Sequence, residues 1–156
     1  MKKLLLFVLL SVMTLAACGT TEENPSPTTE GNAKEETIIL YKSDANAEYT
    51  MPFEETYDGK SDLVPFIYSK VNEHDVVLLD YTLENNDTSL VLNLGDDVYT
   101  IQGSAGAAMF VETLARSYFE NMPEIKEITF IHKGSYESIL DHMDIGEPYS
   151  REKFDM

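Results

Sequence analysis

The chain has 156 residues, a single cysteine and a formal net charge of -17 at pH 7, from 28 acidic and 11 basic side chains. An acidic excess of this size repels nucleic acid and anionic lipid headgroups, so neither is expected as a direct ligand. The length suits one domain of ordinary size, and the 43% hydrophobic content is enough for a core without disulfides. Solubility, cation binding and contact with a basic partner remain open as roles for the charge.

Residues 1–17 have the pattern of a secretory signal: two lysines, an apolar run over residues 4–12, and small residues before the cysteine. The apolar run is shorter than the about 20 residues that span a bilayer. The sequence Leu-Ala-Ala-Cys over residues 15–18 is similar to a bacterial lipobox, in which the cysteine is acylated and becomes the first mature residue. We therefore predict an extracytoplasmic protein of Gram-positive type, anchored to the membrane through lipid on Cys18. The alternative, an ordinary signal with an incidental cysteine, would leave a free thiol outside the cell.

Residues 18–35 contain no aromatic or large aliphatic side chain. Such a segment cannot bury enough apolar surface to offset its ordering entropy, so we predict a disordered tether after the lipidated cysteine. Residues 36–156 then form the single folded domain.

The folded region is predicted to contain strands and helices in the order β-β-α-β-β-α-β. The predicted strands cover residues 38–41, 49–54, 76–83, 90–94 and 128–131, and the predicted helices cover residues 63–71 and 104–122. Pro52 cannot donate to a strand ladder, so the second strand is expected at an edge. This order indicates an α/β (α+β) two-layer sandwich, with a mixed sheet of about five strands and two helices on one face.

Alternation places Val77, Leu79, Tyr81 and Leu83 on the helix-facing side of the sheet. The opposite side would then also be apolar, because it would carry Ile38, Leu40, Val76, Leu78, Val91 and Ile131. Either the apolar tail after Gly134 folds over that side, or another molecule covers it. These six residues are therefore a candidate interface.

Several short segments match a known family in both order and character. They are Ile39-Leu40-Tyr41, Val91-Leu92-Asn93-Leu94, Gln102-Gly103-Ser104-Ala105-Gly106, Ile128-Thr129-Phe130 and the closing run Asp141 to Tyr149. On these motifs the region from Thr37 to Phe154 resembles the GerMN domain, the sporulation and spore-germination module of Gram-positive envelope lipoproteins. The chain holds one copy, whereas the sporulation protein that names the family holds two.

The resemblance implies a small fold similar to the ring-building motifs of envelope-spanning secretion and sporulation assemblies. It also implies a non-enzymatic scaffolding role at the outer face of the membrane, with self-association or other envelope proteins as partners. A general envelope role is the broader expectation, and a link to sporulation or germination is the narrower one.

Gly103, Ser104 and Gly106 open the second helix after a strand and are a candidate anion site at a helix N-terminus. The spacing does not fit a dinucleotide fingerprint, and no P-loop lysine follows. The alternative is structural: small residues let the helix pack closely, and Ser104 caps it.

Asp141, His142 and Asp144 are a candidate divalent metal site, better suited to calcium than to zinc, with a solvated acidic turn as the alternative. We find no catalytic constellation and no cofactor motif, so the chain is not expected to be an enzyme. Two functions remain: a membrane-anchored scaffold or interaction module, and a lipoprotein that binds a divalent cation or a cell-wall fragment.

Overall fold

The computed structural model describes residues 34–156, so the predicted signal peptide, Cys18 and nearly all of the predicted tether lie outside the described residues. The strands are β1 (Glu36–Ser43), β2 (Thr50–Tyr57), β3 (Leu78–Glu84), β4 (Ser89–Leu94), β5 (Glu127–His132), β6 (Ile139–Leu140), β7 (Met143–Asp144) and β8 (Tyr149–Ser150), and the helices are α1 (Leu63–Val71) and α2 (Gly103–Asn121). The predicted mixed class and the order β-β-α-β-β-α-β are confirmed. Neither helix is both long and apolar enough to cross a bilayer.

The strands are divided among three sheets. The main sheet has the order β3-β4-β5-β8, and only its central pair, β4 and β5, is parallel. The hairpins β1-β2 and β6-β7 form two further sheets of two strands each. The single sheet expected from the sequence is therefore a four-stranded sheet that takes its last strand from the C-terminal tail.

The β1-β2 hairpin stays separate because helix α2 lies along the free edge of β1. The backbone N–H of Tyr41 donates to the Ser117 hydroxyl at 2.9 Å, and the Asn121 amide donates to the Ile39 carbonyl at 2.6 Å. Side chains of α2 thus take the place of a neighbouring strand. On the other side of the hairpin, β2 pairs with β1 alone, so Pro52 lies in an edge strand as predicted.

Helix α1 begins where the Asp62 carboxylate accepts the backbone N–H of Val64, which is an ordinary N-cap arrangement. One face of α2 is fully buried in the core and carries Ala107, Val111, Leu114 and Tyr118. Its Tyr118 hydroxyl donates to the Val64 carbonyl at 2.9 Å and so joins the two helices. Burial raises the pKa of Tyr118 well above its ordinary value.

The C-terminal tail completes the core. It runs along the edge of β5, where the Phe130 N–H donates to the Ile145 carbonyl and Ile128 pairs with Tyr149. The tail side chains in the main core are Leu140, Ile145, Tyr149 and Phe154. These four side chains therefore join the core that contains the helices, and they do not lie over the opposite side of the sheet as expected.

The β3 strand contains a bulge at Leu79, where the pairing register with β4 shifts between Leu78 and Asp80. A bulge adds one residue and therefore reverses the alternation on either side of it. Tyr81 and Leu83 pack against the core as predicted, but Val77 and Leu79 are exposed. Placing all four on one face was wrong for this reason.

The parallel pair gives the domain two distinguishable ends. At the carboxyl ends of β4 and β5 lie three chain segments, residues 72–79, 95–104 and 132–142, which we call the carboxyl-end surface. Hydrogen bonds connect the three: Val77 accepts from Gly95, Asp96 accepts from His132, and Asp141 accepts from Ser104. Helix α2 starts at this end.

The opposite end, which we call the amino end, holds both ends of the described chain. Helix α2 finishes here, and β1 begins here, because Ile39 lies beside Asn121 near the end of that helix. The last strand also lies here, because Ser150 pairs with Glu127 at the start of β5.

Candidate functional site

The six residues of the candidate interface do not share one face. Ile38, Leu40 and Val76 belong to the main core, and Leu78 packs against it. Placing these four on the side away from the helices was therefore wrong. Leu40 shares its face of the hairpin with Phe53, and β1 is apolar on both faces, so alternation alone cannot choose its inward side.

Val91 and Ile131 do lie on the opposite side of the main sheet, and both are buried. Polar groups surround them on this side. The Asn93 side chain donates to Asp80 at 3.0 Å and accepts the N–H of Gly134 at 2.9 Å, so the turn after β5 is joined to the sheet. An exposed apolar face of six residues, the feature that motivated the interface, is absent from residues 34–156.

The exposed apolar side chains are concentrated elsewhere. Seven large apolar side chains of residues 34–156 are exposed, and five of them lie on the carboxyl-end surface. These five are Val77, Leu79, Tyr99, Tyr136 and Ile139, each about half exposed. The other two, Tyr49 and Met51, lie at the tip of the β1-β2 hairpin. Large exposed apolar side chains gathered at one place are typical of an interaction site.

A hydrogen-bonded cluster of polar side chains includes Tyr99, which is one of these five residues. The His132 Nε2 atom is 2.9 Å from Asp96, Lys133 also donates to Asp96, and the Tyr99 hydroxyl is 3.2 Å from His132 Nδ1. In the neutral form of His132, Nε2 is the atom that carries the proton, because a carboxylate only accepts, and Nδ1 then accepts from the Tyr99 hydroxyl. The hydrogen bonds from Lys133 and His132 lower the pKa of Asp96. The cluster holds Tyr99 in place while its ring stays exposed.

Two of the three candidate metal ligands form a tight turn. Asp141 and His142 are the two central residues of the β6-β7 hairpin, and both have positive φ, as a type I′ turn requires. Asp144 lies beyond the turn and pairs with Ile139. Within residues 34–156 no three His, Cys, Asp or Glu side chains are grouped so that they could hold a metal ion.

The candidate anion site already has a carboxylate of the same chain beside it. Ser104 is not the N-cap, which is Gln102; its hydroxyl instead lies 3.4 Å from the Asp141 carboxylate. Gly103 has a φ of 79°, which favours glycine, and a methyl group at Gly106 would lie 3.4 Å from Ile101. Gly103 thus has a structural reason to be glycine, whereas the space at Gly106 would admit a methyl group.

A shallow groove of about 250 Å³ lies between α2 and the tail. It is lined by Ala108, Val111, Glu112, Arg116, Met143, Tyr149, Lys153 and Phe154. Arg116 is paired with Glu112 at 2.8 Å, so one of the two cations in this groove is already neutralised.

Sequence reasoning missed the carboxyl-end surface because two signals were hidden. The bulge at Leu79 exposed two residues that alternation places inside. Tyr136 and Ile139 belong to a tail without clear periodicity. The parallel β4-β5 pair was the available signal, because ligands and partners of open α/β sheets commonly bind beyond the carboxyl ends of such strands.

Solved structures that are similar to this domain include two bacterial proteins. The tandem GerMN domains of the sporulation protein GerM from Bacillus subtilis match with a TM-score of 0.56 and 16% identity, over 83% of this chain and 49% of that chain. A protein of Clostridium perfringens provisionally assigned as a lipoprotein matches with a TM-score of 0.50 and 16% identity, over 76% of this chain and 89% of that chain. No family model and no curated protein matches the chain.

The chain thus spans about half the length of the tandem GerM structure, which agrees with a single copy of the domain. At this level of identity the similarity establishes the fold. The resemblance to GerMN domains inferred from the sequence is confirmed as a shared architecture.

Proposed function

We propose that this chain is a lipid-anchored extracytoplasmic protein whose domain is a non-enzymatic interaction or scaffold module of the bacterial envelope. The observation that carries the proposal is the gathering of exposed apolar side chains on the carboxyl-end surface of a domain with the GerMN fold. The Leu-Ala-Ala-Cys motif at residues 15–18 supports the anchor, and one of the similar structures is provisionally assigned as a lipoprotein. A role in sporulation or germination is the narrower form of the proposal, and its support is the likeness to the sporulation protein GerM.

The anchor is tested by replacing the acylated residue. Cys18→Ala should abolish incorporation of labelled palmitate and move the protein from the membrane fraction to the medium or the soluble fraction. A variant that keeps both the label and the membrane fraction would contradict lipidation at Cys18.

The scaffold role is tested by the size of the native assembly. Detergent-solubilised wild-type protein should migrate in native electrophoresis as part of a complex larger than the chain alone. A double variant of exposed carboxyl-end residues, Tyr136→Ser with Ile139→Ser, should release it as the single chain. Migration of the wild type as a single chain from every growth stage, including sporulation, would contradict the role.

Ligand binding is a second candidate, favoured by the groove between α2 and the tail. Its lining combines apolar side chains with Lys153, which suits a cell-wall fragment with a free carboxylate. A soluble muropeptide should raise the melting temperature of the protein if it binds only the folded state. Replacing Lys153 with Ala should remove that shift, and a melting temperature unchanged by muropeptides would exclude this function.

A further inference from the structure

The carboxyl-end surface differs in charge from an ordinary apolar patch. Its three segments contain six carboxylates, and their only basic residue besides histidine is Lys133, which is bound to Asp96. The six carboxylates belong to Glu73, Asp75, Asp96, Asp97, Glu137 and Asp141. The surface therefore combines five exposed apolar side chains with a negative field.

The carboxyl-end surface also has a defined position relative to the point where the chain enters the domain. Strand β1 begins at Glu36 at the amino end, so the segment that joins the domain to Cys18 enters at the end opposite the carboxyl-end surface. An anchored domain can therefore present this surface away from the point where its chain leaves the membrane.

We propose that the carboxyl-end surface docks a basic polypeptide surface, one that places apolar side chains between its lysines and arginines. This inference rests on the proposed interaction role and names the chemistry of the partner. The apolar side chains of the partner would pack on Tyr99, Tyr136 and Ile139, and its cations would lie against the carboxylates of the same three segments. Complementary charge at the rim of an apolar contact steers association and rejects unsuitable partners.

A second copy of this chain fits the same surface poorly. Two carboxyl-end surfaces brought face to face would juxtapose their carboxylates, with one lysine on each side already paired. Like charges brought together in this way are unfavourable. The field thus selects against self-association through this surface and in favour of a basic partner.

The test uses the full chain in neutral detergent and three dye-labelled peptides, at about 0.15 M salt to screen long-range attraction. The first peptide contains Lys, Leu and Ser in equal parts, the second has Glu in place of Lys, and the third has Ser in place of Leu. Fluorescence anisotropy should show that the first binds at least about tenfold more tightly than the other two.

Two pairs of variants locate the binding. Tyr136→Ser with Ile139→Ser removes a tyrosine and an aliphatic side chain from the surface, and Tyr49→Ser with Met51→Ser removes a comparable pair from the hairpin tip. Asp97→Asn with Glu137→Gln neutralises two carboxylates of the surface, and Asp87→Asn with Glu124→Gln does the same at the amino end. Each carboxyl-end variant should weaken binding of the Lys-Leu-Ser peptide about tenfold, and each control should change it less than about twofold. Thermal melting of each variant confirms that it is folded.

Three results would overturn the inference. One is equal binding of the Lys-Leu-Ser and Glu-Leu-Ser peptides, and another is equal loss of binding in the carboxyl-end and control variants. The third is a dimer, seen by sedimentation, that only the Tyr136 and Ile139 substitutions dissociate, since this would identify a second copy as the occupant. A chain that is anchored and assembles but fails the peptide test loses this inference and keeps the proposed function.

Discussion

Arg151 fastens the C-terminal tail to the end of helix α2. Its guanidinium donates to the carbonyls of Phe119, Met122 and Ile125 at 2.8–3.1 Å and lies 4.9 Å from the Phe119 ring centre. These carbonyls belong to the end of α2 and the turn after it, where helical partners run out and the helix dipole favours a cation. One side chain thus satisfies groups that the helix itself cannot.

Arg151→Ala should lower the free energy of unfolding by about 2–3 kcal/mol, because several carbonyls lose a charged donor at once. Arg151→Lys should recover only part of this, since an ammonium cannot reach three carbonyls as the planar fork does. Urea unfolding measures both, with the exposed Glu152→Ala as control. A loss below about 0.5 kcal/mol for Arg151→Ala would contradict this account.

Asp44 organises the turn of the β1-β2 hairpin. Its carboxylate accepts the backbone N–H groups of Tyr49 and Glu48 at 2.9 and 2.7 Å, and these bonds lower its pKa. Because the pKa is lower in the folded state, the contribution of Asp44 to stability is present above the unfolded pKa. It is lost as pH falls through the folded pKa.

The Asp44→Asn variant should therefore lose less stability than the wild type when the pH is lowered from 6 to 2.5. Thermal melting across this range gives the comparison. Equal losses in the two proteins would mean that the Asp44 carboxylate has the same pKa in the folded and unfolded chains.

At the scale of elements, the tail depends on close backbone contact at Gly146. A methyl group built on Gly146 would lie 1.6 Å from the Tyr136 carbonyl oxygen, so even alanine requires the backbone to move. Gly146→Ala should lower the free energy of unfolding by about 2 kcal/mol or more.

Gly106→Ala is the matched control. It places a methyl group at ordinary contact distance inside α2 and should be neutral or stabilising by up to about 1 kcal/mol. Equal effects of the two substitutions on urea unfolding would contradict the packing described here.

The elements with strong periodicity could be predicted from the sequence. Helix α2 was expected over residues 104–122 and spans Gly103–Asn121, because a long amphipathic pattern closed by Pro123 leaves little freedom. Strands β3 and β4 were also expected, over residues 76–83 and 90–94, and they span Leu78–Glu84 and Ser89–Leu94.

The sequence did not reveal which side chains of β3 face the core, nor the path that the tail takes. A bulge has no signature in an apolar run such as Val76 to Leu79, so the exposed side of that strand was assigned incorrectly. The tail pairs through strands of two residues each, which are too short for any period to appear. The candidate site depends on both features and therefore emerged only from the folded structure.

At the scale of the whole molecule, acidic charge is the dominant property. The formal charge of -17 means that folding brings many carboxylates closer together than they are in the unfolded chain. We expect the melting temperature to rise when salt is increased from about 10 mM to about 200 mM, because screening reduces this repulsion. Sodium chloride and potassium chloride should act alike. A melting temperature that falls with salt would show that attractive ion pairs outweigh the repulsion.

Helix α2 closes one edge of β1, and this closure matters where many copies of the protein lie close together. On a membrane, where we propose that this chain is anchored, neighbouring copies would share a thin layer and meet far more often than in free solution. In that layer an open strand edge would act as a seed for intermolecular ladders and, eventually, fibrils. Ser117 and Asn121 occupy this edge of the hairpin, and Pro52 interrupts the other. Both edges of the β1-β2 hairpin are therefore protected against pairing with a strand of a neighbouring copy.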